Sequence, residues 1–236
     1  MMTVNIWSDV RCPFCYIGKH KFEKALEQFP HKDEIKVIWH SFELDPYLKT
    51  QPDVNALDHL AESKGISRAQ AEQMTEHAAQ AAKEAGLSLD FNRSVVANSL
   101  DAHKLIQLAK TKGSGTETEE TLFKAYFTEG KNIADRQTLL QLGVSLGLEE
   151  KEIEEALSSD AYAQKVREDE KQARSLGIRG VPFFVFNDKY AVSGAQSPAV
   201  FLQALEQSWS AYDKDNKIQI VAEAASCSTD GNCGEA

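Results

Sequence analysis

Hydrophobic and polar residues alternate near the start of the chain, over residues 3–8 and again over residues 35–42. This period of two predicts two short β-strands. Between them, Phe22, Leu26 and Phe29 recur at helical spacing. A strand, a helix and a strand in this order predict a βαβ unit, whose strands run parallel and are joined by a right-handed crossover.

A long stretch with helical periodicity follows, covering roughly residues 51–177. Ser67 and Gln70 fit a capping box at the start of one amphipathic segment. Gly86 is a suitable helix stop and Asp135 a suitable N-terminal cap. Because no strand-like run interrupts this stretch, we expect a large all-helical insertion. The alternative is a mostly helical protein with a small sheet.

Strand character returns over residues 183–186, where four apolar residues stand in a row. Asn187 and Asp188 supply a turn, and residues 189–193 can return as an antiparallel partner. Pro198 then stands at a favoured first-turn position of a final helix. The sequence therefore predicts a β-hairpin followed by a helix.

These patterns divide the chain into three parts. Residues 1–50 and 178–212 are predicted to form one α/β domain, and residues 51–177 an inserted helical domain. Residues 213–236 are predicted to be a C-terminal tail, since its last residues are small, polar and acidic.

The charge balance narrows the range of partners. The 236 residues include 26 basic and 36 acidic side chains, which gives a net charge of −10. This acidic balance argues against nucleic acid or an anionic membrane as the main partner. The longest apolar run, residues 181–186, is far too short to span a membrane. Because the first residues lack the pattern of a secretory signal, we expect a cytoplasmic protein.

Four cysteines fall in two close pairs near the ends of the chain, Cys12 with Cys15 and Cys227 with Cys233. Structural disulfides are unusual in the cytosol, so redox chemistry or metal binding is the expected use. The first pair stands where a predicted strand gives way to a predicted helix. The unpaired N–H groups and the positive dipole of a helix N-terminus stabilise a thiolate there. We expect Cys12 to be the nucleophile, nearer the solvent, and Cys15 the buried resolving thiol.

Several neighbours are expected to tune this pair. Pro13 fixes its backbone where a helix needs no N–H group, and Phe14 is the other residue between the cysteines. Arg11 should favour a thiolate, whereas Asp9 should oppose it if its carboxylate faces the sulfur. His40, near the end of the second predicted strand, is a candidate to point toward the site.

The dipeptide Val181-Pro182 stands directly before the strand of the hairpin. Proline is tolerated at a strand start, and an X–Pro bond is the usual place for a cis peptide. A cis bond would expose the backbone of Val181 as an edge for an extended polypeptide. We therefore expect Val181 and Pro182 to bind substrate beside Cys12.

Two other uses of the first pair stay open. The thiols could be buried and inert, or they could bind zinc with Cys227, Cys233, His20 or His40 as further ligands. The wide spacing of the second pair and the scattered histidines argue against zinc. We therefore expect no metal site.

The chain resembles the thioredoxin-fold DsbA family, and within it the FrnE-like cytoplasmic branch, over about residues 3–208. The resemblance rests on residues 9–18 (DVRCPFCYIG), 42–46 (FELDP), 102–105 (AHKL), 122–127 (LFKAYF), 181–184 (VPFF) and 193–196 (SGAQ). It implies an α/β, thioredoxin-like fold with a large all-helical insertion. It also implies Cys12 and Cys15 as the redox pair and Pro182 as a cis-proline.

The activity implied by the resemblance is thiol–disulfide oxidoreduction, with isomerase action on protein disulfides. The implied partners are disulfide- or thiol-bearing proteins. Two uses of the helical insertion stay open, a peptide groove and the surface of a homodimer. No cofactor is needed, although glutathione or another thiol would serve as a co-substrate. A related branch of glutathione-dependent isomerases and transferases, acting on aromatic or polyketide-like small molecules, carries serine where this chain has Cys12. A non-enzymatic zinc-binding or redox-switch protein is the second alternative.

The second cysteine pair encloses a turn-prone segment, so Cys227 and Cys233 could close a small disulfide loop. Their spacing also resembles a C-terminal pair found in the FrnE-like branch. A flexible tail could bring them to Cys12. Two hypotheses follow: an accessory redox pair that exchanges disulfides with the first, or an adventitious pair that stays reduced.

Overall fold

The computed structural model describes residues 1–216. The elements in chain order are β1 (Met2–Ser8), α1 (Pro13–Gln28), a 3-10 helix (Lys32–Glu34), β2 (Ile35–Ser41), β3 (Gln51–Asn55), α2 (Ala56–Lys64), α3 (Arg68–Glu84), β4 (Val95–Val96), α4 (Leu100–Thr111), α5 (Gly115–Phe123), a π-helical turn (Lys124–Thr128), α6 (Arg136–Ser145), α7 (Glu150–Ser158), α8 (Asp160–Ser175), β5 (Phe183–Phe186), β6 (Tyr190–Ser193) and α9 (Pro198–Asn216).

One sheet has the strand order β2-β1-β5-β6. Strand β1 pairs parallel with β2 and antiparallel with β5, and β5 pairs antiparallel with β6. The predicted βαβ unit and hairpin are therefore confirmed. Asn187 and Asp188 both adopt positive φ, 49° and 54°, which is the geometry of a tight hairpin turn.

The first hydrophobic core lies between this sheet and the helices α1 and α9. The ring of Phe22 from α1 packs 5.6 Å from Phe184, 6.2 Å from Phe186 and 5.8 Å from Phe201, measured between ring centroids. Burying such large side chains is the main stabilising contribution to the fold. This core holds α1 against the sheet. The first residues of α1 are positioned by the same packing.

The second core belongs to the helical block, where α4 packs against α5, α6, α7 and α8. It also includes residues from the first turn of α1, namely Cys12, Cys15 and Tyr16. The Tyr16 ring stacks on Phe123 of α5 with 4.9 Å between centroids. The start of α1 is therefore held between the sheet and the helical block.

The fold class is confirmed: an α/β, thioredoxin-like fold with a large, mostly helical insertion. The helical stretch contains one feature that the pattern did not predict, a two-stranded sheet of β3 and β4. Every residue of β3 is exposed, so this strand carries no hydrophobic alternation. The predicted helix signals are confirmed: Ser67 and Gln70 form a capping box, Gly86 has a φ of 85°, and the Asp135 side chain caps α6.

The division into domains stays a prediction. Helix α9 continues to Asn216, past residue 212 where the tail was expected to begin. Cys227 and Cys233 lie outside the described residues. Among residues 1–216, no helix has the length and apolar character that crossing a membrane requires.

Candidate active site

Cys12 is the N-terminal cap residue of α1, with extended backbone angles of φ −93° and ψ 111°. Its carbonyl oxygen accepts from the backbone N–H of Cys15 at 3.0 Å and of Tyr16 at 3.4 Å. Pro13 occupies the first turn, as predicted. The Cys12 side chain accepts no hydrogen bond from this turn, so the expected direct contact between sulfur and amides is not formed. The sulfur lies at the positive end of the dipole of α1.

Cys15 is one helical turn further along and lies deeper than Cys12. The two side chains belong to residues exposed by 6% for Cys12 and 1% for Cys15, so both are buried and Cys12 lies nearer the solvent. They are free thiols 3.4 Å apart. Burial raises the pKa of the Cys15 thiol well above its usual range, and the neighbouring Cys12 raises it further. Cys15 therefore holds its proton until a base or a reaction step removes it.

The loop before β5 faces this pair. The Val181–Pro182 peptide bond is cis, and the Cys12 thiol donates a hydrogen bond to the Val181 carbonyl oxygen at 3.6 Å. Gly18 of α1 lies against the same loop, since a Cβ atom added to it would meet Pro182 Cγ at 3.0 Å. The structure thus brings Val181 and Pro182 to Cys12, as expected of a substrate-binding edge.

Asp9 is fully buried and directs its carboxylate to backbone amides. It accepts from the N–H of Arg11 at 3.0 Å and of Leu44 at 2.8 Å. Burial alone would raise its pKa, but the contact with His103 and these amides hold the pKa of Asp9 below its usual range. Asp9 therefore positions the loop that leads into the cysteine motif.

His40 and Phe14 occupy very different places. Both ring nitrogens of His40 are bonded, to Asp169 at 2.9 Å and to Asn5 at 2.9 Å, and its ring stacks on Trp7. His40 thus organises polar groups of the sheet, and its hydrogen bonds do not go to the cysteines. Phe14 is 39% exposed and stands beside Cys12 at the rim of a cavity.

A buried polar cluster behind Asp9 was missed by the sequence analysis. His103 of α4 lies 3.6 Å from Asp9, measured from Nε2 to Oδ1, and both side chains are fully buried. Burial would lower the pKa of His103, but Asp9 raises it above its usual value. Glu119 of α5 is also buried, and desolvation raises its pKa to about 7. One sequence feature could have indicated this cluster: His103 and Glu119 each stand on an otherwise apolar face of a helix.

A second unpredicted cluster joins α1 to α5. His20, Glu23 and Glu120 bring possible ligand atoms within 4.8 Å of one another. The Lys19 ammonium already lies among these carboxylates, 2.7 Å from Glu23 and 2.6 Å from Glu120. Burial would raise the pKa of Glu120, but its bonds to His20 and Lys19 lower it to about 2. The cluster is therefore an ion-pair network that carries its own cation.

A cavity of about 420 Å³ opens beside Cys12, between the start of α1 and the helices α2 and α3. Its wall is largely apolar, and Arg11 and Ser94 bring polar groups to it. A volume of this order suits a small molecule. Cys12 therefore meets two distinct surfaces, the Val181 loop and this cavity.

The sheet order, the helix that begins at Cys12 and the cis-proline loop opposite it define a thioredoxin-fold protein. The chain belongs to the DSBA-like thioredoxin domain family, which it matches over residues 3–206. Members of this family are oxidoreductases and isomerases.

Three known proteins illustrate the similarity. The uncharacterised protein YwbO of Bacillus subtilis is 30% identical over 209 residues, covering 86% of this chain and 96% of YwbO. A probable DsbA oxidoreductase of Streptomyces coelicolor is 37% identical with a TM-score of 0.84, covering 99% of both chains. The cytosolic disulfide reductase DsbM of Pseudomonas aeruginosa, solved with GSH, shares the fold at 19% identity with a TM-score of 0.62, covering 90% of this chain and 98% of DsbM.

Proposed function

We propose that this protein catalyses dithiol–disulfide exchange through the Cys12-Pro13-Phe14-Cys15 motif. The observation that carries the proposal is the position of the Cys12 sulfur. It lies at the N-terminus of α1, with a second thiol 3.4 Å away and the Val181 carbonyl oxygen of the cis-proline loop at 3.6 Å. These are the three parts that exchange needs: a nucleophile, a resolving thiol and a place for the substrate backbone.

The reaction proceeds in two displacements. The Cys12 thiolate attacks one sulfur of a substrate disulfide, forms a mixed disulfide and expels the other sulfur as a thiolate, which takes up a proton. Cys15 then loses its proton and attacks the Cys12 sulfur, which expels the second substrate thiolate. The substrate gains two electrons and two protons, and the enzyme pair becomes a disulfide. The reverse sequence oxidises a substrate dithiol.

The substrates we propose are proteins with disulfides or thiols, because the Val181 loop presents backbone to an extended chain. Isomerisation of protein disulfides uses the same mixed disulfide and belongs to the proposal. We also propose that the protein belongs to the FrnE-like branch and is cytoplasmic. The cytosolic location of DsbM supports the proposed location. Glutathione or another thiol would regenerate the pair, and no cofactor takes part.

Insulin reduction, followed by turbidity, tests the proposal. The wild-type protein should accelerate the reaction with dithiothreitol as reductant, and Cys12→Ser should reduce the rate to that of dithiothreitol alone. His31→Gln, which changes an exposed residue, serves as the control and should match the wild type. Equal rates for Cys12→Ser and the wild type would overturn the assignment of Cys12.

A second candidate is favoured by the cavity beside Cys12: a glutathione-dependent isomerase or transferase acting on a small molecule. Such a reaction needs the nucleophile and the cavity but no resolving thiol. Retention of full activity on a small substrate by Cys15→Ser, together with no insulin reduction by the wild type, would favour this candidate. The zinc-binding alternative needs further ligands from Cys227, Cys233, His20 or His40, and stoichiometric zinc bound through four thiols in the purified full-length protein would favour it.

A further inference from the structure

The cavity beside Cys12 has an apolar mouth. Phe14, Leu44 and Met74 line it and are 39%, 51% and 45% exposed, which places them among the large hydrophobic side chains most open to solvent. Covering apolar surface is favourable in proportion to the area removed from water. A ligand with an apolar body would remove these three side chains from water at once. The cavity volume of about 420 Å³ sets its size as that of a small molecule.

Two residues that line the same cavity carry unused donors, which are buried in its wall. Arg11 precedes the nucleophile, and its Nε and Nη1 atoms are buried without a hydrogen-bond partner. The Ser94 hydroxyl, which also belongs to a lining residue, is likewise buried without a partner. Unpaired buried donors are rare and costly in folded proteins, so each requires an explanation. A ligand oxygen would satisfy them.

The charges of the lining residues favour an anionic ligand. Arg11 and Lys64 are cationic, His59 is titratable and Asp45 is the acidic residue among those that line it. The Arg11 guanidinium lies beside the Tyr126 phenol, whose hydroxyl donates to the Val95 carbonyl oxygen at 3.0 Å. Guanidinium groups bind carboxylates through two parallel hydrogen bonds. A carboxylate attached to a bulky apolar body would match both the polar and the apolar residues of the lining.

We propose that this cavity binds a small disulfide or thiol that carries a carboxylate and an apolar body. Arg11 and Ser94 would bind the carboxylate, Phe14 and Met74 would cover the body, and the ligand sulfur would face Cys12. The proposal rests on the proposed function and names the small co-substrate that resets the cysteine pair. Because Arg11 is only partly buried, rotation of its side chain can turn the unpaired N–H groups toward the cavity.

The chemistry balances without a further reagent. The Cys12 thiolate attacks one sulfur of the small disulfide, and the other sulfur leaves as a thiolate that takes up a proton. Cys15 then releases its proton, displaces the second small thiolate and leaves the enzyme pair as a disulfide. One small disulfide becomes two thiols while two enzyme thiols are oxidised. In the opposite direction, two small thiols reduce the enzyme disulfide.

A matched set of disulfides tests the proposal. Dithiodibenzoate carries both the carboxylate and the ring, dithiodibenzamide has the ring without charge, and dithiodipropionate has the charge without the ring. The rate of oxidation of the reduced full-length protein is measured with each, by release of the small thiol under single-turnover conditions. Each rate is divided by that of free cysteine with the same disulfide, which removes differences in leaving-group chemistry.

The normalised rate with dithiodibenzoate should exceed those with dithiodibenzamide and dithiodipropionate by about tenfold each. In Arg11→Gln the preference for dithiodibenzoate over dithiodibenzamide should fall by about tenfold. The ratio of the two rates is compared, because loss of the charge next to Cys12 changes both of them. Arg11→Lys should restore only part of the preference, because lysine lacks the planar fork. Arg179→Gln removes an exposed cation near Val181 and should keep the preference.

Equal normalised rates with the acid and the amide in the wild type would overturn the proposal. The proposal would also be overturned if Arg11→Gln kept the preference for dithiodibenzoate over dithiodibenzamide. It would be overturned as well if Arg179→Gln lost this preference as strongly as Arg11→Gln. These failures differ from failure of the proposed function, because insulin reduction and its dependence on Cys12 would persist. Chemical unfolding of Arg11→Gln establishes that the variant is folded.

Discussion

The sulfur of Cys12 lies 3.6 Å from the carbonyl oxygen of Val181, although the two residues are 169 positions apart in sequence. The contact joins the first turn of α1 to the loop that begins β5, across the whole helical insertion. A substrate chain that pairs with the Val181 backbone would therefore bring its cysteine to the nucleophile. This relationship is the structural basis of the proposed exchange reaction.

Gly18 tests how closely α1 must approach this loop. A Cβ atom at residue 18 would meet Pro182 Cγ at 3.0 Å and Phe184 Cζ at 3.4 Å. Overpacking of this kind costs about 1–3 kcal/mol, which outweighs the gain of about 1 kcal/mol from alanine in a helix. Gly18→Ala should lower the free energy of unfolding by about 1 kcal/mol and slow insulin reduction, because the loop moves away from Cys12.

Gly180→Ala is the matched control for stability, because an added Cβ there meets no atom within 4 Å. In urea unfolding, Gly180→Ala should have the same free energy of unfolding as the wild type. A Gly18→Ala protein with unchanged stability and unchanged insulin reduction would show that the loop accommodates the methyl group freely.

The buried contact between Asp9 and His103 should contribute strongly to stability. The pKa of Asp9 is lowered and that of His103 is raised, so their contact favours the charged form of both side chains. Asp9→Asn leaves a buried histidine without its counter-charge and should cost about 3 kcal/mol in urea unfolding. The double variant with His103→Gln should lose less than the sum of the single losses. Strictly additive losses would contradict the coupling.

Glu119 should make the protein less stable as the pH rises. Its pKa in the folded state is raised from 4.5 to about 7 because burial disfavours the carboxylate. The folded state therefore holds this proton more tightly than the unfolded state. The stability that protonated Glu119 adds to the folded state is fully present below pH 4.5 and is lost as the pH rises through about 7.

Glu119→Gln should remove this dependence and raise the free energy of unfolding at pH 8 by on the order of 3 kcal/mol. Glu117→Gln changes an exposed residue of the same helix and should leave the profile unchanged. Unfolding curves between about pH 5 and pH 8 provide the measurement. A wild-type slope that persists in Glu119→Gln would assign the titration to another group.

The sequence allowed prediction of the parts of the fold that follow local periodicity. The parallel strands, the hairpin turn at Asn187 and Asp188 and the capping box at Ser67 all depend on neighbouring residues. Strand β3 could not be predicted in this way. All its residues are exposed, so its sequence shows no alternation of hydrophobic and polar residues.

The site was predictable in part for a similar reason. The placement of Cys12 at a helix start follows from a strand directly before it, whereas the partners of a side chain depend on distant segments. His40 illustrates this limit, since its partners Asn5 and Asp169 fix its ring in the sheet. The pairing of Asp9 with His103 likewise depends on how α4 packs, which no local pattern records.

Trapping of a mixed disulfide is the decisive test of whether Cys12 is the nucleophile. Cys15→Ser and Cys12→Ser proteins are each mixed with oxidised insulin, quenched with acid and analysed by mass spectrometry after proteolysis. We expect Cys15→Ser to accumulate a covalent adduct at Cys12, because the resolving thiol is missing, and Cys12→Ser to form none at Cys15. An adduct carried by Cys15 in the Cys12→Ser protein, with no adduct at Cys12 in Cys15→Ser, would contradict the assignment of Cys12 as the nucleophile.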